Sequence, residues 1–112
     1  MNARLIGSLV LVFCFSHIPF GHAQADTLPN TIIIKNHQFI PQQLNVPAGQ
    51  KIKVTVINQD STAEEFESFD LDREQVVEGN KQIIVFIGPL SPGKYGYWAD
   101  YHKSSKGVIY AQ

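Results

Sequence analysis

The segment at residues 51–57 constrains the fold of this chain most strongly, because apolar and polar side chains alternate along it. Ile52, Val54 and Val56 lie on one side of an extended backbone, while two lysines and a threonine lie on the other. Alternation with a period of two residues indicates a β-strand that is buried on one face. The chain is therefore expected to pack at least one sheet against a core.

Other short segments have the composition of strands and are separated by turn residues. Segments rich in β-branched or aromatic residues occupy positions 31–35, 43–46, 82–87, 94–99 and 107–110. Proline and glycine are concentrated at 47–49 and 88–93, as expected for turns. Because no window follows the helical period, we predict an all-β domain, a Greek-key β-sandwich or barrel with about seven strands.

Residues 1–25 have the pattern of a secretory signal peptide. Arg4 precedes an apolar stretch at 5–15, and the small residues Ala23 and Ala25 form a typical cleavage pattern. The apolar stretch is shorter than the roughly 20 residues that a transmembrane helix requires. We expect cleavage after Ala23 or Ala25, a periplasmic location, and one mature domain at 26–112 that does not itself span a membrane.

Removal of the signal peptide would also remove all the sulfur in the chain. Cys14 is the only cysteine and Met1 the only methionine, so the mature domain is expected to lack disulfides and thiolates. Without Arg4, eight basic and ten acidic residues remain, which argues against nucleic acid as a partner because phosphate binding needs a basic surface. No nucleophile elbow, phosphate loop or zinc-protease helix is present, so we do not expect an enzyme.

An acidic stretch at 61–78 contains seven of the ten acidic residues. On a strand, Glu65 and Glu67 point to the same side, so their carboxylates can converge on one cation. Carboxylates and imidazoles together suit iron, manganese, copper(II) or zinc. The alternative is a solvated acidic edge that prevents pairing with the strands of other molecules.

Four motifs occur in a fixed order along the mature chain and together resemble the cupredoxin fold. They are Phe39-x-Pro41-x-x-Leu44-x-Val46-Pro47-Ala48-Gly49, Asn58-x-Asp60 at the end of a strand, Gly88-x-Leu90-x-Pro92-Gly93-x-Tyr95, and His102-x-x-x-x-Gly107-Val108-Ile109. The blue-copper loop of that family is Tyr-x-Cys-x-x-His-x-x-Met-x-Gly. Laid over residues 97–107, it places Ala99 at the cysteine, His102 at the histidine and Ser105 at the methionine. A blue-copper site needs the thiolate, so the resemblance does not imply one here.

The chain is more similar to the sulfur-free, EfeO-type cupredoxin-like proteins, which are exported and accompany iron permeases. The strings that carry this resemblance are NQDSTAEEFES at 58–68, IGPL at 87–90 and DYH at 100–102. Proteins of this type carry a histidine at the place of Phe69. The resemblance implies a metal-binding accessory protein that handles iron or copper(II) for an inner-membrane iron-uptake permease.

The cupredoxin fold would bring the loop with Asp100 and His102 to the same end of the sandwich as the acidic strand. We therefore expect a metal site built from Glu65, Glu67 and His102, with Glu64 or Asp100 assisting. His37 is a further candidate ligand, although it could instead serve the backbone of a turn.

A function without a metal is the alternative interpretation of the same residues. The β-sandwich would then be an interaction module whose acidic edge docks on a transporter or another envelope partner. Such a module would associate with its partner in a salt-sensitive way and would not respond to chelators.

Overall fold

The computed structural model describes Val12 and residues 28–112, and residues 28–112 form an all-β structure of nine strands. The expected signal peptide lies outside the described residues except for Val12. The strands are β1 (Thr31–Lys35), β2 (Gln38–Ile40), β3 (Gln43–Val46), β4 (Ile52–Asn58), β5 (Glu64–Ser68), β6 (Arg73–Val77), β7 (Gln82–Ile87), β8 (Gly93–Ala99) and β9 (Lys106–Ala111).

The strands form two sheets that pack face to face. One sheet has the order β2-β1-β4-β7, and the other has the order β3-β9-β8-β5-β6. Most neighbours are antiparallel, but β1 pairs with β4 and β3 pairs with β9 in parallel. This arrangement confirms the predicted β-sandwich.

Alternating side chains from both sheets form the core. In β4, Ile52, Val54 and Val56 are buried as the sequence pattern predicts. Phe39, Phe66 and Tyr97 meet in the centre, where the Tyr97 ring lies 4.9 Å from each phenylalanine ring. Their burial fixes β5 and β8 against the opposite sheet. Three of the six candidate ligands lie on β5, and two lie in the turn after β8.

The sandwich has nine strands where about seven were predicted, because two short strands were not recognised. β2 has only three residues, and β6 exposes every residue except Val77. Hydrophobic patterning is weak in both segments. The acidic stretch, in which the sequence indicated one strand, folds as the β5–β6 hairpin.

Within the described part of the chain, no helix has the length and apolar character needed to cross a membrane.

Candidate metal centre

Strand β5 places neighbouring acidic residues on opposite faces. Phe66 points into the core and is 1% exposed, so Glu64 lies on the interior side while Glu65 and Glu67 lie on the outer face of the sheet. Both Glu64 and Glu65 are nevertheless buried, with 1% and 8% of their surface exposed. Two separate groups of candidate ligands result, one on each side of β5.

The first group, the carboxylate cluster, consists of Glu65, Glu67 and Asp100, whose ligand atoms all lie within 4.8 Å of one another. Glu67 sits opposite Trp98 in the pairing of β5 with β8, and Asp100 follows directly after β8. The Asp100 backbone N–H donates to the Glu65 carbonyl at 2.9 Å. This bond holds the turn after β8 against β5 and brings the third carboxylate to the other two.

The contacts of Asp100 keep that side chain in its ionised form. The Trp98 indole N–H donates to Asp100 Oδ1 at 3.2 Å, and Lys103 Nζ lies 3.7 Å from the same oxygen. The Trp98 hydrogen bond is the main reason why the pKa of Asp100 lies below its ordinary value, with Lys103 contributing. A charged carboxylate is thus present at the edge of the cluster.

Glu65 and Glu67 have raised pKa values because acidic groups are crowded together. A hydrogen bond shared with the Glu74 carboxyl, followed by burial and the charges of Glu74, Asp100 and Glu67, raises the pKa of Glu65 to about 7. Burial, together with a hydrogen bond shared with Asp100, raises the pKa of Glu67. Oε1 of Glu65 is buried and accepts no hydrogen bond. A buried carboxylate oxygen without a donor is costly unless a cation compensates it.

The second group, the imidazole cluster, consists of His37, Glu64 and His102, whose ligand atoms also lie within 4.8 Å of one another. His102 Nδ1 is 2.6 Å from Glu64 Oε2. Glu64 Oε1 accepts the backbone N–H groups of Glu65 at 2.9 Å and Tyr101 at 3.0 Å. In contrast to Glu65, the Glu64 carboxylate has hydrogen bonds to both of its oxygens.

The turn between β1 and β2 supplies His37. Asn36 and His37 both have left-handed backbone conformations, with φ of 50° and 60°, as required by a tight hairpin turn that favours asparagine and glycine. Asp60 accepts both of their backbone N–H groups at 2.8 and 2.9 Å. These bonds are the main cause of the lowered pKa of Asp60. The His37 ring stacks on the His102 ring, with centroids 3.6 Å apart.

The predicted site residues therefore gather in two places. Glu65 and Glu67 lie together as expected, and Asp100 joins them. His102 lies instead with Glu64 and His37 in the other cluster, on the far side of β5. The expected single site of Glu65, Glu67 and His102 is thus divided between two faces of one strand.

Sequence reasoning overlooked three residues that shape these clusters. Glu74 stands opposite Glu67 in the β5–β6 hairpin, Trp98 orients Asp100, and Asp60 holds the turn of His37. Recognition of the hairpin would have found Glu74, because residues in register on neighbouring strands lie on the same face. No local pattern signalled the other two contacts.

Comparison with known proteins identifies the fold family. A family model described as cupredoxin-like domain matches residues 5–111. The uncharacterized protein RP394 of Rickettsia prowazekii (strain Madrid E) is 43% identical over 79 residues, which is 70% of this chain and 63% of that protein. The matched region thus spans less than two thirds of the relative's length.

Solved structures with similar folds are cupredoxins. A purple cupredoxin from Nitrosopumilus maritimus matches with a TM-score of 0.60 and 21% identity, covering 73% of this chain and 98% of the other. Amicyanin from Paracoccus versutus matches with a TM-score of 0.62 and 13% identity, covering 77% and 83%. These similarities establish the fold. The chain belongs to the cupredoxin-like domain family.

Proposed function

We propose that this protein is an exported metal-binding accessory protein of the EfeO type that holds iron at the carboxylate cluster. The observation that carries the proposal is the buried Oε1 of Glu65, which lacks a hydrogen-bond donor and lies among the ligand atoms of Glu67 and Asp100. A bound cation would neutralise the crowded carboxylates and would take the place of the missing donor.

The donor atoms favour iron over copper(II). All three side chains of the carboxylate cluster offer oxygen, which suits hard cations, whereas copper(II) gains more from imidazole nitrogen. Copper remains the alternative ion, since cupredoxin folds generally bind it. We propose no blue-copper centre, because the thiolate that such a centre requires has no counterpart at Ala99.

The role that fits such a site is binding and transfer, not catalysis. We propose that the protein acts in the periplasm and passes its ion to an inner-membrane iron permease. The cluster lies on the outer face of β5, one strand in from the edge strand β6, and a partner can reach it through the partly exposed Glu67 and Asp100.

The test is metal binding by the purified exported protein. Iron(II), iron(III), copper(II), manganese(II) and zinc(II) are added singly, and thermal unfolding is followed. A ligand that binds the folded state raises the melting temperature with concentration. We expect iron to raise it in the wild type and in Asp72→Asn, which removes an acidic charge outside the cluster, but not in Glu65→Gln. An unchanged melting temperature with every ion would refute the proposed function.

A metal-free interaction module is the second candidate, and one observation favours it. Phe69 is 80% exposed and packs its ring 4.8 Å from that of Trp98, which in turn contacts Asp100. Exposed aromatic side chains beside acidic groups are common in docking surfaces. Under this candidate, Phe69→Ser weakens association with a basic partner, and chelators have no effect.

A further inference from the structure

We propose that His102 and Glu64 position Asp100 for the carboxylate cluster, and that His102 is not itself a metal ligand. This inference rests on the proposed function for its metal readout, but its structural part can be tested without any ion. It assigns a role to the imidazole cluster, whose residues the proposed metal site does not include.

The first step concerns the hydrogen bonds of Glu64. This side chain is 1% exposed, and both oxygens already accept bonds from nearby N–H groups. We assign the proton of the 2.6 Å contact to His102 Nδ1, so that Glu64 Oε2 accepts this bond as well. A cation bound between them would have to break this short bond and displace the proton. No such cost applies at Glu65, where an oxygen lacks any partner.

The second step concerns the turn that these bonds hold. Glu64 accepts both the Tyr101 backbone N–H and the His102 side chain, so one buried carboxylate fixes two successive residues of the turn after β8. The His102 backbone N–H also donates to the Ala99 carbonyl at 3.0 Å. Asp100 lies between Ala99 and Tyr101, and its own N–H donates to the Glu65 carbonyl. Its side chain is therefore directed to the outer face of β5.

The third step concerns the ring of His102. Glu64 holds one edge of the ring, and His37 covers one face at a centroid distance of 3.6 Å with an angle of 17°. His37 adopts a left-handed conformation, which residues other than glycine seldom take, and Asp60 holds it there by accepting its backbone N–H. The orientation of His102 is thus fixed from two directions, as expected for a residue that positions a ligand.

The experiment uses the chemical difference between asparagine and glutamine. The side-chain nitrogen of asparagine can take the place of histidine Nδ1, whereas that of glutamine corresponds to Nε2. His102→Asn therefore keeps the donor to Glu64 but lacks the imidazole. His102→Gln and His102→Ala lose the donor, and Asp100→Asn removes the proposed ligand.

Two readouts are measured on protein purified after export from cells that express the full chain. Binding of manganese(II), an ion that prefers oxygen ligands, is followed from the electron paramagnetic resonance signal of the free ion. Amide hydrogen exchange of Asp100 and Tyr101 is followed without metal, because both amides are protected only while the turn is held.

We expect His102→Asn to bind manganese(II) within about threefold of the wild type, and His102→Ala and His102→Gln to bind about 10–100-fold more weakly, as removal of a group that orients a ligand does. The two amides should exchange slowly in the wild type and in His102→Asn and faster in the other two variants. Asp100→Asn should weaken binding while its turn stays protected.

Two results would overturn the inference. If His102→Asn binds as weakly as His102→Ala while its amides stay protected, His102 is a ligand. If His102→Ala leaves both amides as protected as in the wild type, the imidazole does not hold the turn. If the wild type does not bind manganese(II) or iron, the proposed function fails, but the exchange data still decide whether His102 and Glu64 position the turn.

Discussion

The raised pKa of Glu65 predicts that the metal-free protein loses stability as the pH rises from about 4.5 to about 7. The pKa of this group shifts from its ordinary value of 4.5 to about 7 on folding. Between those values the folded protein holds a proton that the unfolded chain has released. Stability falls with rising pH wherever the folded state binds more protons, so this contribution is complete below pH 4.5 and is lost as the pH approaches 7.

The size of the effect is set by the number of protons involved. Glu65 accounts for at most one proton that the folded state binds in excess of the unfolded state. Glu67, whose pKa is also raised, changes the slope of stability against pH in the same direction. Asp60 and Asp100 have lowered pKa values, so they act in the opposite sense but at pH values below their ordinary 3.8. Between pH 4.5 and 7, the change in stability therefore reports mainly on Glu65 and Glu67.

Urea unfolding at intervals of half a pH unit, with a chelator present, measures this slope. We expect the wild type and the control Asp72→Asn to lose stability across the window, while Glu65→Gln shows a much smaller slope because its side chain cannot ionise. Saturation with iron should reverse the trend, since the ion binds the deprotonated carboxylate. A slope in Glu65→Gln equal to that of the wild type would refute the assignment of the effect to this residue.

Three further substitutions test the structure around the site by urea unfolding. Tyr97→Phe should leave stability unchanged or raise it by about 1 kcal/mol, because the Tyr97 hydroxyl is buried without a hydrogen-bond partner; a clear loss would contradict this. Gly107→Ala should cost about 1–3 kcal/mol, since a Cβ there would overlap the buried Tyr97 ring. Asn58→Ala should lower the free energy of unfolding by more than about 2 kcal/mol. The Asn58 side chain donates to the Val77 carbonyl at 3.0 Å and accepts from the Asp60 N–H at 3.0 Å. A loss below about 1 kcal/mol would contradict the role of these bonds.

The fold could be predicted from the sequence where side chains alternate and packing decides the structure. β4 is the clearest case, because the apolar residues Ile52, Val54 and Val56 alternate along it and all become buried. β5 was expected as an acidic strand, but the inward position of Glu64 was not, since an acidic side chain rarely lies in an interior. A charge in the interior is stable only through partners that come from elsewhere in the chain, here Tyr101 and His102. The sequence of the strand itself contains no sign of those partners.

The candidate site was predicted in part for the same physical reason. The convergence of Glu65 and Glu67 follows from the two-residue period of a strand, which is local information. The addition of Asp100 and the separation of His102 depend on how the turn after β8 meets β5. Resemblance to the cupredoxin family placed both residues near the site but could not determine which face each side chain occupies.

The alternation of Glu64 and Glu65 along β5 gives the two clusters different properties although the residues are adjacent. Glu64 meets backbone and imidazole donors and forms a complete hydrogen-bond network, whereas Glu65 meets other carboxylates and retains an oxygen without a partner. A group whose hydrogen bonds are complete stabilises the fold and gains little from a cation. A carboxyl group with one buried oxygen that lacks a donor, placed among like charges, gains more from one. The division of roles between positioning and binding therefore follows from which donors each face of the strand meets, and the exchange of His102 for asparagine or glutamine tests it directly.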